Sequence, residues 1–309
     1  MKPASVKLWL LLIIALAAVF YFWGLDRNDV VTDESSYMVR GMQMLDFDFG
    51  IEQPTPIQWV KEVPWWMKLS FHDHPPLVFL LENISFRIFG KNVFAGRIPP
   101  VLAGLLAILF VYLIASELYS PKVGLVSAAL FAFTVNHVWI SRVALQESIV
   151  IAAMLAASYV FLRSLQNKKF LILAASLLGL AVLAKYTAFI LAPIFLTILL
   201  IRRRDYFKSA YFLLSIFCFL AVVSPVIVYN IGLYKTFGHF DFQISYIVGQ
   251  RVEAWKDMPG KEAIGSLPDR FRNYIPTLVK TNSPIFFTLG LLGVALAAWQ
   301  ALRKNEKKL

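Results

Sequence analysis

Five groups of polar residues interrupt an otherwise apolar chain, and their types are those that do chemistry. The first is the adjacent pair Asp33-Glu34, with Tyr37 one helical turn further on. Neighbouring carboxylates suit a general base and an orienting partner; they equally suit the first turn of a helix, where acids offset the macrodipole. The second is His72-Asp73-His74-Pro75-Pro76. Pro75 keeps His74 out of helical conformation and Pro76 suits a first helical turn. Asp73 and His74 therefore stand on a stiff corner at a helix N-terminus, where anions bind. A plain surface turn is the competing reading, and the His-x-His spacing is a weak metal-ligand signal. Third comes Arg97, in Gly96-Arg97-Ile98-Pro99-Pro100. Fourth is Ser141-Arg142 with Glu147, which also fits a simple Arg142–Glu147 pair tethering a hairpin. Fifth is Lys185-Tyr186, wedged between two uncharged runs. A snorkelling lysine fits there, as does a cation that meets a lipid phosphate.

These groups need elements to hold them, and the composition says which. Of 309 residues 59% are hydrophobic and only 16% charged, against about 45–50% and about 25% in soluble domains. Mean hydropathy is +0.65. Residues 8–24, 98–116, 123–140, 143–162, 170–184, 186–201, 209–230 and 284–302 each fill or nearly fill the ~20 apolar residues a bilayer core requires. The first run ends in Phe22-Trp23-Gly24-Leu25-Asp26 with no small-x-small cleavage site, which reads as a retained span rather than a signal peptide. The single cysteine, Cys218, lies inside an apolar run, so no disulfide framework forms within the chain. No internal repeat is detectable.

A net charge of +11 suggests nucleic acid until its distribution is followed. Lys2/Lys7, Lys122, Arg163/Lys168/Lys169, Arg202 to Arg204 with Lys208, and Arg303/Lys304/Lys307/Lys308 occupy short connections, which the positive-inside tendency places in the cytoplasm. Segment 25–75 carries nine acidic and four basic side chains and reads as outside. Residues 76–89 are short for a span and contain Glu82 and Arg87; Leu77, Leu80, Leu81, Ile84 and Ile88 recur at helical spacing, which fits a helix lying in the outer interface. The layout is then eight spans with both termini cytoplasmic. Residues 1–230 form a seven-span module including outer loop 25–97; outer loop 231–283 and a last helix with a basic tail, 284–309, follow. All five polar groups fall on the outer face, beneath loops holding Trp59, Trp65, Trp66, Tyr246, Trp255 and Tyr274. Such an assembly suits a lipid phosphate and a polar acceptor. A transporter or lipid flippase is the alternative, although its polar groups belong at mid-membrane.

The ordered set Asp33-Glu34, His74-Pro75-Pro76-Leu77, Phe89-Gly90, Arg97-x-Pro99, the Tyr119 break, Arg142 with Glu147, and the Lys185 turn resembles the GT-C superfamily of polyprenyl-phosphate-sugar glycosyltransferases over about residues 8–200. It is most similar to the dolichyl-phosphate-mannose–protein mannosyltransferases and the aminoarabinose transferases. The resemblance implies an all-α membrane bundle of about eight helices with interfacial helices in the first outer loop. It implies an inverting transferase that uses a dolichyl or undecaprenyl phosphate sugar and a lipid, glycan or protein hydroxyl. It places this multi-pass protein in the plasma membrane, or the endoplasmic reticulum of a eukaryote, with its site on the non-cytoplasmic face.

By that resemblance Asp33 is the base and Glu34 its partner, more structural in role. Asp73 and His74 face the donor phosphate or a cation, Glu147 is the acid entering span four, and Lys185 meets the phosphate. Arg97 and, in the later loop, Arg251 are further phosphate candidates, with Arg142 and Tyr37 in support. Asp73 with His239 is the candidate pair for a divalent cation, which the chemistry does not strictly require. The chain departs from the pattern by ending after the eighth span without a soluble C-terminal domain. The expectation is a minimal enzyme or an inactive relative.

Overall fold

The computed structural model describes residues 3–42, 64–70, 74–250, 252, single positions between 272 and 280, and 284–306. Two units are present, Met1–Gln250 and Arg251–Leu309. The described residues are helical. In the first unit α1 is Pro3–Phe22, α2 Thr32–Met42, α3 Leu77–Phe89 and α4 Val93–Leu118. Then follow α5 Pro121–Ala132, α6 Val135–Ser141, α7 Gln146–Ser164, α8 Phe170–Ala184, α9 Leu191–Arg202, α10 Ala210–Phe237 and α11 Phe242–Ile247. The second unit contains α12, Pro284–Glu306.

Each expected span coincides with a helix or a helix pair. Among the described residues, four helical stretches are long and apolar enough to cross a bilayer: Ser5–Phe22, α4, α7 and α10. The bent pair α5–α6, which turns through 66°, makes a fifth. Shorter apolar stretches are Phe170–Ala184, Tyr186–Arg202 and Phe287–Leu296. The shortness of Phe170–Ala184 and Tyr186–Arg202 has a local cause: Lys185 ends α8 in extended conformation, and a 3₁₀ turn, Tyr186–Ile190, precedes α9. The chain is an integral membrane protein with an all-α bundle.

Sequence-local chemistry explains the helix ends. The Asn92 side chain accepts the Ala95 N–H and the Ser209 side chain that of Phe212, each capping a long helix. Gly238, at φ +77°, closes α10 in the left-handed region open to glycine. Inside α4, Pro99 cannot donate to the Ala95 carbonyl. That carbonyl instead accepts the Ser85 hydroxyl of α3 at 2.6 Å, so the proline's lost bond becomes a tie between two helices. In α10 the carbonyl orphaned by Pro225, that of Ala221, is met by the Ser224 hydroxyl at 2.8 Å.

α7 packs on α4 and α8, and α8 on α10, around Val150, Ala157, Leu178, Ala181 and Val223. The α3 helix forms as expected, with Val78, Phe79 and Phe86 buried and part of the expected apolar stripe turned outward. Leu80, Ile84 and Ile88 are exposed, whereas Glu82, Asn83 and Ser85 are buried against protein. A helix with apolar residues on its outward side suits a lipid-facing position, where an apolar surface needs no cover. The loop expected to begin at 231 begins later: α10 runs to Phe237, and residues to Gln250 belong to the first unit.

Candidate active site

At the start of α2 the two carboxylates separate. Glu34 is fully buried and Asp33 exposed. Glu34 Oε1 accepts Arg97 Nε at 2.6 Å and the Ala144 N–H at 2.8 Å. Its Oε2 accepts Arg97 Nη2 at 2.8 Å and reaches back to the Val31 N–H at 3.1 Å, as the acid of a capping box does. Burial alone would raise this carboxyl; the Arg97 bonds and the two backbone donors outweigh it and hold Glu34 below the ordinary carboxylate range. Glu34 thereby joins α2, α4 and the α6–α7 connection.

Arg97 has no N–H left for a phosphate. Beyond its two bonds to Glu34, Nη1 donates to the Leu25 and Asn28 carbonyls and Nη2 to that of Asp29. It is 1% exposed. Arg142 also donates to backbone, at 2.6 and 2.7 Å from the carbonyls of Phe20 and Trp23 near the end of α1. The Arg142–Glu147 pair suggested by spacing is replaced: Glu147 Oε1 accepts Lys185 Nζ at 2.7 Å, both side chains about one-third exposed.

Tyr37, four residues after Asp33 and so on the same face of α2, is hydrogen-bonded through its hydroxyl to His74 Nε2 at 2.8 Å. His74, Pro75, Lys185, Tyr186, Thr187 and Gln243 line a recess of about 40 Å³. The structure thus brings together Asp33's helix, His74, Lys185 and Glu147 from four distant parts of the sequence. Asp73 and Arg251, with Trp59 and Trp255, lie outside the described residues. His239 is half-buried and its Nδ1–H donates to the Phe240 carbonyl. No group of three His, Cys, Asp or Glu that could hold a metal is gathered among the described residues.

Sequence reasoning missed a polar cluster behind this recess. The Asp241 carboxylate, fully buried, accepts from Tyr186, Asn230 and the Ile244 N–H. Burial pushes its carboxyl above the ordinary range despite those three donors. An asparagine near the C-terminal end of an apolar span and an aspartate at a helix N-cap were the signals available. Glu82 was noted for its charge alone. It is fully buried, neither carboxyl oxygen has a hydrogen-bond partner, and burial, then the negative Glu34, raise its carboxyl well above the ordinary value.

Among the described residues the chain is an all-α membrane bundle of the expected GT-C-like architecture. The fold agrees with the crystal structure of ArnT from Cupriavidus metallidurans in the apo state (TM-score 0.56, 16% identity, over 80% of this chain and 45% of that one). The sequence profile of the dolichyl-phosphate-mannose-protein mannosyltransferase family matches residues 73–229, half of the chain, and the chain belongs to that family. Relatives include YycA of Bacillus subtilis (strain 168), provisionally named a mannosyltransferase, 30% identical over 140 residues that make up 44% of this chain and 20% of that one. An undecaprenyl phosphate-alpha-4-amino-4-deoxy-L-arabinose arabinosyl transferase of Pseudomonas paraeruginosa (strain DSM 24068 / PA7) is 30% identical over 126 residues, 40% of this chain and 21% of that one. The chain thus matches about a fifth of the length of these relatives.

Proposed function

We propose that this chain transfers a sugar from a polyprenyl phosphate to a hydroxyl acceptor on the non-cytoplasmic face of an eight-span membrane domain. The observation that carries it is the Tyr37–His74 bond, which ties the helix of the exposed Asp33 to the recess that Lys185 lines. Tyr37 of that helix, His74, and Lys185 with its partner Glu147 come from separate parts of the sequence and lie at or beside helix ends. That arrangement favours a transferase over a transporter.

In this reading Asp33 takes the proton of the acceptor hydroxyl as its oxygen attacks the anomeric carbon. The bond from that carbon to the phosphate oxygen breaks on the opposite side and the configuration inverts. The lipid monophosphate leaves with the bond's electrons. Lys185 and His74 are placed to meet its charge, as preorganised donors do. Glu147 holds Lys185 until a phosphate competes for it. Arg97, Arg142 and Glu34 are framework, setting the outer end of α1 and the start of α2 around the site.

The test is transfer of radiolabel from a lipid-linked donor in detergent. Asp33→Asn is expected to lower turnover by about 100- to 10,000-fold, the usual range for a general base, with folding intact because Asp33 is exposed. Lys185→Ala is expected to raise the donor concentration required. Near-normal transfer by the first variant removes Asp33 as the base; unchanged donor dependence in the second removes Lys185 from the phosphate.

A further inference from the structure

The recess that holds Lys185 is built from three separate pieces of chain. Lys185, Tyr186 and Thr187 come from the α8–α9 turn, His74 and Pro75 from the corner before α3, and Gln243 from α11. A short flexible cation is useful to a phosphate only if the turn that carries it is fixed. The turn's own hydrogen bonds, Lys185 N–H to Ala181 and Ala188 N–H to Lys185, run within the α8–α9 connection. They do not set its distance from Gln243.

One carboxylate spans that gap. Asp241 Oδ2 accepts the Tyr186 hydroxyl at 2.7 Å and Asn230 Nδ2 at 2.9 Å. Its Oδ1 accepts the Ile244 N–H at 2.8 Å, which caps α11 one residue beyond Gln243. Asn230 completes a ring: its Oδ1 accepts the Asp241 N–H at 2.8 Å, and its Nδ2 also donates to Val226 within α10 at 3.0 Å. One oxygen therefore faces the Lys185 wall and the other the Gln243 wall, with both anchored to α10. Asp241 and Asn230 are buried. Buried networks whose members are all satisfied rigidify and specify one arrangement.

We propose that Asp241 is a positioning residue: through Tyr186 and α11 it fixes Lys185 and Gln243 as opposed walls of one recess for the phosphate headgroup of a lipid. This rests on the assignment of Lys185 to the donor phosphate and extends it to a residue that touches no substrate. Asp241 acts on phosphate affinity chiefly through Lys185, the charged wall of the recess, and that dependence separates positioning from a general contribution to stability.

The experiment titrates the full chain in nanodiscs with undecaprenyl phosphate, and in parallel with undecaprenol, which lacks the phosphate. Tyr186→Phe removes one donor and no volume of consequence; Asp241→Asn removes the charge. Each is expected to weaken undecaprenyl phosphate binding by about tenfold, the scale of a hydrogen bond to a charged group, and to leave undecaprenol unchanged. In a Lys185→Ala background the same substitutions are expected to cost less than about twofold, since coupled residues are not additive. Equal losses in both backgrounds, equal losses for both lipids, or no loss in Tyr186→Phe would overturn the positioning role. Should Lys185→Ala alone bind undecaprenyl phosphate like the unaltered chain, the phosphate assignment falls and this inference with it. Tyr186→Phe keeps the test open if Asp241→Asn does not fold.

Discussion

Arg97 uses every N–H of its guanidinium on Glu34 and on the carbonyls of Leu25, Asn28 and Asp29. A planar fork with five donors can do this and an ammonium cannot. Removing one partner from a buried pair costs about 3–5 kcal/mol. Arg97→Ala is accordingly expected to lose most of its folded yield in detergent, and Arg97→Lys not to recover it, as thermal unfolding followed by size-exclusion will show. A functional phosphate ligand would behave otherwise, leaving the fold intact. Glu82 presents the opposite case, a buried carboxyl whose oxygens have no hydrogen-bond partner. Its value in the fold is raised, so the folded state holds the proton more tightly than the unfolded chain. Stability then falls as pH rises from the ordinary carboxylate value toward Glu82's own. Glu82→Gln is expected to flatten that part of the stability–pH profile and to raise the unfolding temperature at its alkaline end; an unaltered profile would show that Glu82 is not the group responsible.

Between elements, close approach and redirected hydrogen bonds matter more than propensity. α3 meets α2 where Asn83 donates to the Gly41 carbonyl at 2.9 Å, and meets α4 where Ser85 answers the carbonyl orphaned by Pro99. α4 meets α6 at Gly104, where an added Cβ would come within 2.7 Å of the Ser141 Cβ and also collide with its hydroxyl oxygen. Ser148, on α7, donates to the Pro100 carbonyl at 2.7 Å in the same seam. Gly104→Ala is therefore expected to destabilise by about 1–3 kcal/mol, the scale of overpacking, measured by denaturation in mixed micelles. Ser141→Gly in addition should recover part of that loss, because it removes the atoms met. A neutral Gly104→Ala would mean the α4–α6 seam can open without penalty.

At the scale of the molecule, orientation in the membrane decides whether the assembled site can meet a lipid-linked donor. The cytoplasmic assignment of Lys208 and the outer assignment of Ser36 rest on charge distribution. A chain with Cys218 replaced by alanine and a single new cysteine tests it. Ser36→Cys is expected to react with an impermeant maleimide added outside intact cells, and Lys208→Cys only after the membrane is opened. Labelling of both from the same side would invert or break the eight-span layout. The same bundle makes the proposed site composite, because α2, the corner before α3, α7, the α8–α9 turn and α11 each bring one to three residues.

The sequence by itself determined that this is a helical membrane protein, where its apolar helices lie, and that Asp33, His74, Glu147 and Lys185 are exceptional. Each of those conclusions follows from local composition or spacing, since a charge in an apolar run is visible without knowing its neighbours. Partnership is a matter of three dimensions, and only the tertiary structure decided it. Arg142 took backbone carbonyls at the end of α1 in place of Glu147, Glu147 took Lys185 from 38 residues away, and Arg97 became framework because Glu34, 63 residues away, and the carbonyls of Leu25, Asn28 and Asp29 take all its donors. The inward-facing polar side of α3 and the Asp241–Asn230–Tyr186 cluster were illegible for the same reason. A polar side chain facing protein and one facing water look alike in sequence, and folding alone assigns which of them is satisfied.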